Sequence, residues 1–283
     1  MELEIYHKTN YTYEQPVHLE PHYLNFKPLT RKYIELLDFD LQIDPTPANI
    51  FELIDAEGNT YHQVWADDKA TRKLDIEAKI VVRTTSFNPF DFLLDPEIKP
   101  SDGKYYYSPR RKEFLESFLS HREYPSIKQY VDKVRVQSEE TMVSFLALLI
   151  QSVYNGWEHV KRENEHPLDA RQCFKEKKGS CKDLSWMVIV MLRGIGLATR
   201  FVSGYAYNPQ LDFGHELHAW VEVLLPGSGW IGLDPSAGLF TNDHYVPVAT
   251  SFDPSLTMPV DGTFLGNASS SLEASVDITV IKK

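Results

Sequence analysis

Gly179-Ser180-Cys181-Lys182-Asp183-Leu184-Ser185-Trp186, followed at once by the apolar run Met187 to Leu192, is the stretch on which the reading of this chain turns. Ser180 before an apolar run, with an acid three residues on at Asp183, has the form of a capping box, so a helix is expected to begin with Ser180 as its N-cap. Cys181 is then the first helical residue. The unpaired N–H groups and the positive dipole end of a helix favour an anion at that point, and a thiol placed there ionises more readily. From Leu184 to Leu192 the chain is apolar nearly all round, which describes a helix buried on most sides, and Gly194 and Gly196 end it. Burial clamps the first turn, as a nucleophile held at attack distance from a carbonyl requires. The plain alternative for a lone cysteine beside an apolar helix is a small core residue.

Downstream, Thr199 to Tyr207 alternates and is rich in β formers, so it reads as a strand. His218 to Leu225, then Pro226-Gly227-Ser228-Gly229, then Trp230 to Asp234 read as a hairpin, and Pro235 stops pairing and leaves Asp234 at the strand end. A register that pairs Leu224 with Trp230 puts His218 diagonal to Asp234 on one face, whereas a one-residue slip separates them. The hairpin thus supplies what the cysteine lacks: His218 to take the thiol proton, and Asp234 to fix the imidazole tautomer and steady its positive charge. His215 and His218 are three apart in a strand, not four apart on a helix, so no zinc site is expected. Neither a Walker nor a dinucleotide-binding glycine loop is present, and no cofactor is implied.

Upstream, Leu3 to Tyr13, Ile34 to Ile43, Asn49 to Ile54, Tyr61 to Trp65 and Leu74 to Val82 read as strands of an antiparallel β-sandwich, with Asp55 to Asn59 as a hairpin turn. The histidines of this half, His7, His18, His22 and His62, are scattered and read as surface or edge groups. Asn88-Pro89-Phe90-Asp91-Phe92, Asp95-Pro96 and Lys99-Pro100-Ser101-Asp102-Gly103 form a proline-punctuated connector, which sets a boundary near residue 100 and divides the chain into 1–100 and 101–283. Helices are expected over Arg110 to Ser120 and from Ser138 to about Val160, with Val143, Leu146, Ala147, Ile150 and Val153 packing at helical spacing. Asn164 to Arg171 reads as a polar loop, Phe252 to Ser271 as irregular, and Leu272 to Val280 as a final strand.

At 283 residues, 42% hydrophobic and 12% aromatic, the chain can build real cores. Its net charge of −11 excludes nucleic acid and anionic membrane surfaces as natural partners and makes cationic or neutral substrates the easier guests. The beginning of the sequence shows no basic and apolar leader, and no apolar run approaches the ~20 residues of a membrane span, so a soluble cytoplasmic protein is expected. In that compartment Cys173 and Cys181 stay reduced.

Taken together, Gly179 to Asp183, Leu192-Arg193-Gly194-Ile195-Gly196 through Tyr205, His218 to Val223 and Gly229 to Pro235 resemble the core motifs of the transglutaminase-like superfamily. The first half, with Asn88-Pro89-Phe90-Asp91-Phe92, is similar to the β-domain that precedes this core in bacterial members described as cysteine-protease-like. The resemblance implies an α+β protein: an N-terminal β-sandwich, then a papain-like core in which the Cys181 helix packs on an antiparallel sheet. It implies Cys181 as nucleophile, His218 as general base and acid, and Asp234 as orienting carboxylate, working by acyl transfer through a thioester. Hydrolysis of peptide or amide bonds is the leading expectation. An amine-accepting protein-glutamine gamma-glutamyltransferase, or a silent domain that binds peptides or proteins, are the alternatives. The substrate would be a peptide or protein, and the β-domain could recruit a protein partner. Lys182 stands where an arginine is common in bacterial relatives, a change that keeps charge but not bidentate geometry. The Cys181 N–H is the expected oxyanion donor, with Trp157 or Gln172 as side-chain candidates.

Overall fold

The computed structural model describes residues 1–94, 105–138, 141–162, 166–210 and 215–282; the expected boundary near residue 100 lies outside them. Strand β1 (Glu2–Leu24) buries Leu3, Ile5, His7 and Thr9 by strict alternation and runs on well past Tyr13, where the sequence suggested an end. It is followed by β2 (Ile34–Asp44), β3 (Asn49–Ile54), β4 (Thr60–Trp65) and β5 (Thr71–Thr84), close to the expected runs. Four helices come next: α1 (Pro109–Phe114), α2 (Glu116–Leu119), α3 (Pro125–Gln137) and α4 (Met142–Gly156), the last capped by Thr141, whose side chain accepts from the Ser144 N–H. Then β6 (Glu158–His159), α5 (Ala170–Glu176) and β7 (Lys178–Gly179) lead into α6 (Cys181–Gly194). The chain closes with β8 (Thr199–Ala206), β9 (Leu217–Leu225), β10 (Gly229–Asp234), β11 (Leu239–Phe240), β12 (Tyr245–Ser251), β13 (Val260–Leu265) and β14 (Ser270–Lys282).

β1 is long enough to serve two sheets. Its first half lies between β5 and β14, with β2 beyond β5, and its second half lies between β4 and β13, with β3 beyond β4. Tyr13, Val17, Leu24, Phe26, Val64 and Ile76 fill the space between these sheets. The last two strands therefore complete the β-half, although the sequence assigned them to the unit starting at 101. The segment read as irregular holds β13, and within it Gly262 pairs with His22 of β1 so closely that a Cβ there would lie 2.4 Å from the His22 ring.

The core sheet is antiparallel with order β11-β10-β9-β8-β12. Alternation along β9 sends Ala219, Val221 and Val223 into the cluster formed with Leu184, Met187, Val188 and Met191 of α6. Each fully buried Val, Leu or Met side chain among them contributes about 1.5–3 kcal/mol, which fixes the helix on the sheet. Tyr205, Val246 and Val248 pack instead with Leu3, Ile5, Ile80 and Val82, so the β-half covers the other side of the core sheet. The protein is thus α+β, with its cysteine helix clamped on an antiparallel sheet and a β-sandwich behind it.

Candidate active site

Ser180 is the N-cap of α6, and the Asp183 carboxylate reaches back to accept from its N–H and its hydroxyl, both at 2.8 Å. Asp183 does more than cap. Fully buried, it also accepts from the Leu168 N–H at 2.7 Å and pairs with Arg162, which ties the loop before α5 to the helix start. Burial alone would raise its carboxyl, but Arg162 and these donors outweigh that and hold it below the usual range. Gly179 cannot be replaced, since a Cβ there would meet the Asp183 Cβ at 2.7 Å and the Cys173 Sγ at 3.1 Å. Cys181 is consequently held in place at the first turn of α6 and borders a cavity of about 310 Å³.

The hairpin has the register that pairs Leu224 with Trp230, and three residues, 226–228, close it between Leu225 and Gly229. His218 and Asp234 then meet on one face: His218 Nε2–H donates to Asp234 Oδ2 at 2.7 Å. That bond assigns the proton to Nε2 and leaves Nδ1 for the thiol side, where Cys181 favours the charged form of the ring. Asp234 is saturated, its Oδ1 accepting from the Ser236 N–H (2.9 Å), the Ser236 hydroxyl (2.7 Å) and the Ala237 N–H (3.2 Å), and its Oδ2 from the Tyr245 hydroxyl (2.8 Å). Burial opposes its charge, but His218, Ser236 and Tyr245 bring its carboxyl down to about 2. Burial likewise opposes charge on His218, yet Asp234 and Cys181 raise its imidazole well above the ordinary value. For Cys181, burial is overcome by His159, His218 and the Ala219 N–H, and the thiol falls to about 6. The structure therefore brings all three sequence-selected residues together, with the thiol lowered, the imidazole raised and the carboxyl lowered from their ordinary values.

Two residues that the sequence did not single out join them. Tyr245 steadies Asp234 from β12, and His159 sits on β6, whose parallel pairing with Gly179 of β7 places it beside the start of α6. The Cys181 thiol raises the His159 imidazole against a smaller opposing effect of burial. No local periodicity marks a two-residue strand, and its partner lies twenty residues on, so nothing in the sequence pointed to it. The two suggested side-chain oxyanion donors are elsewhere: Trp157 Nε1–H donates to the Cys173 carbonyl at 3.1 Å, and Gln172 bonds Glu176 on an exposed face. His7 also departs from expectation. It is buried, bonds the Tyr205 hydroxyl through Nδ1 at 2.9 Å and borders the cavity, where desolvation holds its imidazole down to about 4 and so uncharged at neutral pH. His22 and His62 are buried too. Among the described residues no group of three or more His, Cys, Asp or Glu side chains is arranged to hold a metal, and no helix is long and apolar enough to cross a membrane.

Residues 3–83 match the bacterial transglutaminase-like N-terminal region, and residues 128–235 match the transglutaminase-like superfamily core. An uncharacterized protein of Mycobacterium leprae is 30% identical over 119 residues, a match that takes in 40% of this chain and 40% of that one. Another uncharacterized protein, from Mycobacterium bovis, is 24% identical over 254 residues, covering 84% of this chain and 80% of its own length. In three dimensions the chain is similar to a crystal structure described as that of a candidate cysteine protease from Cytophaga hutchinsonii: TM-score 0.73, 19% identity, with 100% of this chain and 91% of the other covered. At that identity the likeness establishes the shared fold.

Proposed function

Because this chain belongs to the transglutaminase-like superfamily, we propose that it is a cysteine-dependent acyl-transfer enzyme that hydrolyses peptide or amide bonds. The observation that carries the proposal is the run of contacts from Cys181 through His218 to Asp234 at a helix start that borders a cavity. In this reading the Cys181 thiolate attacks the amide carbon, and the carbonyl π electrons move onto oxygen. The Cys181 backbone N–H and the His159 ring N–H donate to that oxygen; a donor of this kind is worth about 10²–10³ in rate. The C–N bond then breaks as His218 gives its proton to the departing amine, which leaves a thioester on Cys181. His218, now neutral at Nδ1, takes a proton from water as the water attacks the thioester, and the thiol leaves as thiolate. Asp234 keeps the ring oriented and its positive form stable through both halves.

The experiment is a screen of peptide and isopeptide libraries with the wild-type protein, with and without an added primary amine, read by mass. A hydrolysed product that vanishes in Cys181→Ala supports the proposal. A product carrying the added amine would assign the protein to the amine-accepting transglutaminases. Failure of Cys181 to react even with an amide-mimicking electrophile would leave a peptide-binding domain.

A further inference from the structure

Strand β14 is the outer strand of its sheet. β1 lies on one side of it, and along its other side the described residues provide a single partner, the antiparallel bridge between Val276 and His215. Upstream of that bridge, residues 270–275 are exposed, and among the described residues no strand pairs with their outer edge. Such an edge presents a row of unused N–H and C=O groups, which proteins normally guard with lysine, proline or a cover. Here the run Ser270-Ser271-Leu272-Glu273-Ala274-Ser275 holds neither lysine nor proline. The same stretch lies at the chemistry: Leu272, Ala274, Ser275 and Val276 border the cavity of about 310 Å³ that Cys181 and His218 also line.

A second, independent feature of that cavity points to its guest. His215 is 4% exposed and lines the cavity, and neither of its ring nitrogens has a hydrogen-bond partner. It is nevertheless held in place, its backbone by the bridge to Val276 and its ring by stacking on Tyr207. A neutral imidazole carries one N–H donor and one lone pair, and leaving both buried and unused is unfavourable. A peptide main chain offers carbonyls and N–H groups in turn, so a chain lying along β14 can satisfy both nitrogens without bringing charge into the cleft. A single side-chain amide entering the cavity would leave the strand edge unused.

We propose that the substrate is an extended peptide that adds to β14 as a further strand, its main-chain amides pairing with the outer edge of residues 270–275 and with His215, and the amide to be cut carried over Cys181. The β-half thereby supplies the platform and the core supplies the nucleophile. Affinity comes from main-chain hydrogen bonds, while side chains on one face of the added strand meet the apolar lining of Phe201, Met258 and Leu272 and those on the other face solvent. The inference deepens the acyl-transfer reading and rests on it for the bond placed over Cys181, but the docking itself needs no chemistry.

The test is a binding measurement on the Cys181→Ala protein, in which nothing is cut. Three fluorescein-labelled, amidated octapeptides are titrated by anisotropy: an alternating Val-Ser peptide, the same peptide N-methylated at every Val, and the same peptide N-methylated at every Ser. Alternate residues of a strand point their N–H groups to opposite sides, so only one of the two methylated peptides loses the groups that face β14. The expected result is that the parent peptide binds with a Kd below about 1 mM, that one methylated peptide stays within about threefold of it, and that the other is at least about tenfold weaker. Which of the two survives gives the direction of the added strand. On the protein side, Glu273 and Ala274 are neighbours, so one N–H faces β1 and the other outward, where a proline is tolerated. One of Glu273→Pro and Ala274→Pro is therefore expected to keep the melting curve and to weaken the parent peptide at least about tenfold; if neither variant folds, the peptide pair decides. No measurable binding of the parent, equal losses from both methylated peptides, no loss from either, or folded proline variants that bind as before would overturn the docking. If wild-type protein binds the parent peptide and leaves it whole, it is the hydrolytic reading that fails, and the strand docking stands.

Discussion

Cys173 and Cys181 lie eight residues apart and belong to the same segment of chain, yet the fold makes them chemically opposite. Cys173 is buried on α5, its thiol turned to the Lys178 carbonyl at 3.6 Å, and desolvation pushes it up to about 12. Cys181 also feels desolvation, but His159, His218 and the Ala219 N–H bring it down to about 6. Burial is common to both, so the difference lies in the donors. A buried thiol with the Asp183 carboxylate nearby and no imidazole stays protonated, while two imidazoles near a thiol favour its anion.

The comparison breaks most visibly if the two cysteines are exchanged in importance. Cys181→Ala is expected to abolish turnover, by a factor of at least about 10⁵, with the melting curve little changed, as measured by product formation and calorimetry. Retention of near-native turnover would show that the ion pair is ornamental. Next in size, Asp234→Asn is expected to lower kcat by about 10³–10⁴, since an amide holds the ring in place but cannot stabilise the imidazolium; an unchanged rate would reduce Asp234 to a turn residue. Smaller again is His159→Phe, which keeps the ring but donates nothing. Here kcat is expected to fall about 10²-fold, and the pH midpoint of Cys181 alkylation to rise above its native position. If both stay put, His159 is only a neighbour. The smallest effect belongs to the other cysteine: Cys173→Ala is expected to leave kcat within twofold and to cost about 1 kcal/mol in urea denaturation.

Much of the site was legible because it is built from local signals. A cap, an apolar run and a tight hairpin fix where Cys181, His218 and Asp234 stand, and the register that joins Leu224 to Trp230 needs only the hairpin's own sequence. The long-range parts were not legible. Tyr245 and His159 reach the site through pairings with distant segments, β12 with β8 and β6 with β7, that leave no local pattern. The same holds for the β-half. Its strands alternate and were readable, but the sharing of β1 between two sheets, and the return of β13 and β14 to it, are decided by contacts more than two hundred residues apart. His7 shows the cost of that blindness: a histidine that looked peripheral in sequence is carried by β1 to the cavity wall. Helix α3 was overlooked for another reason. Ile127, Val131 and Val134 do recur at helical spacing, but among polar neighbours they form a thin stripe that packs only because α4 and α6 are there to receive it.

The central claim is that the fold, through His159 and His218, makes Cys181 a thiolate and leaves Cys173 a thiol. Limiting iodoacetamide applied to the native protein between pH 4.5 and 9, with peptide mapping by mass, reads both at once. Because the Cys181 thiol is depressed from its ordinary value, its labelling rate is expected to rise with pH through a midpoint near 6 and to level off by neutrality, while Cys173 stays unlabelled throughout. A Cys181 midpoint at 8.5 or above, or equal labelling of the two cysteines at pH 6, would contradict the account.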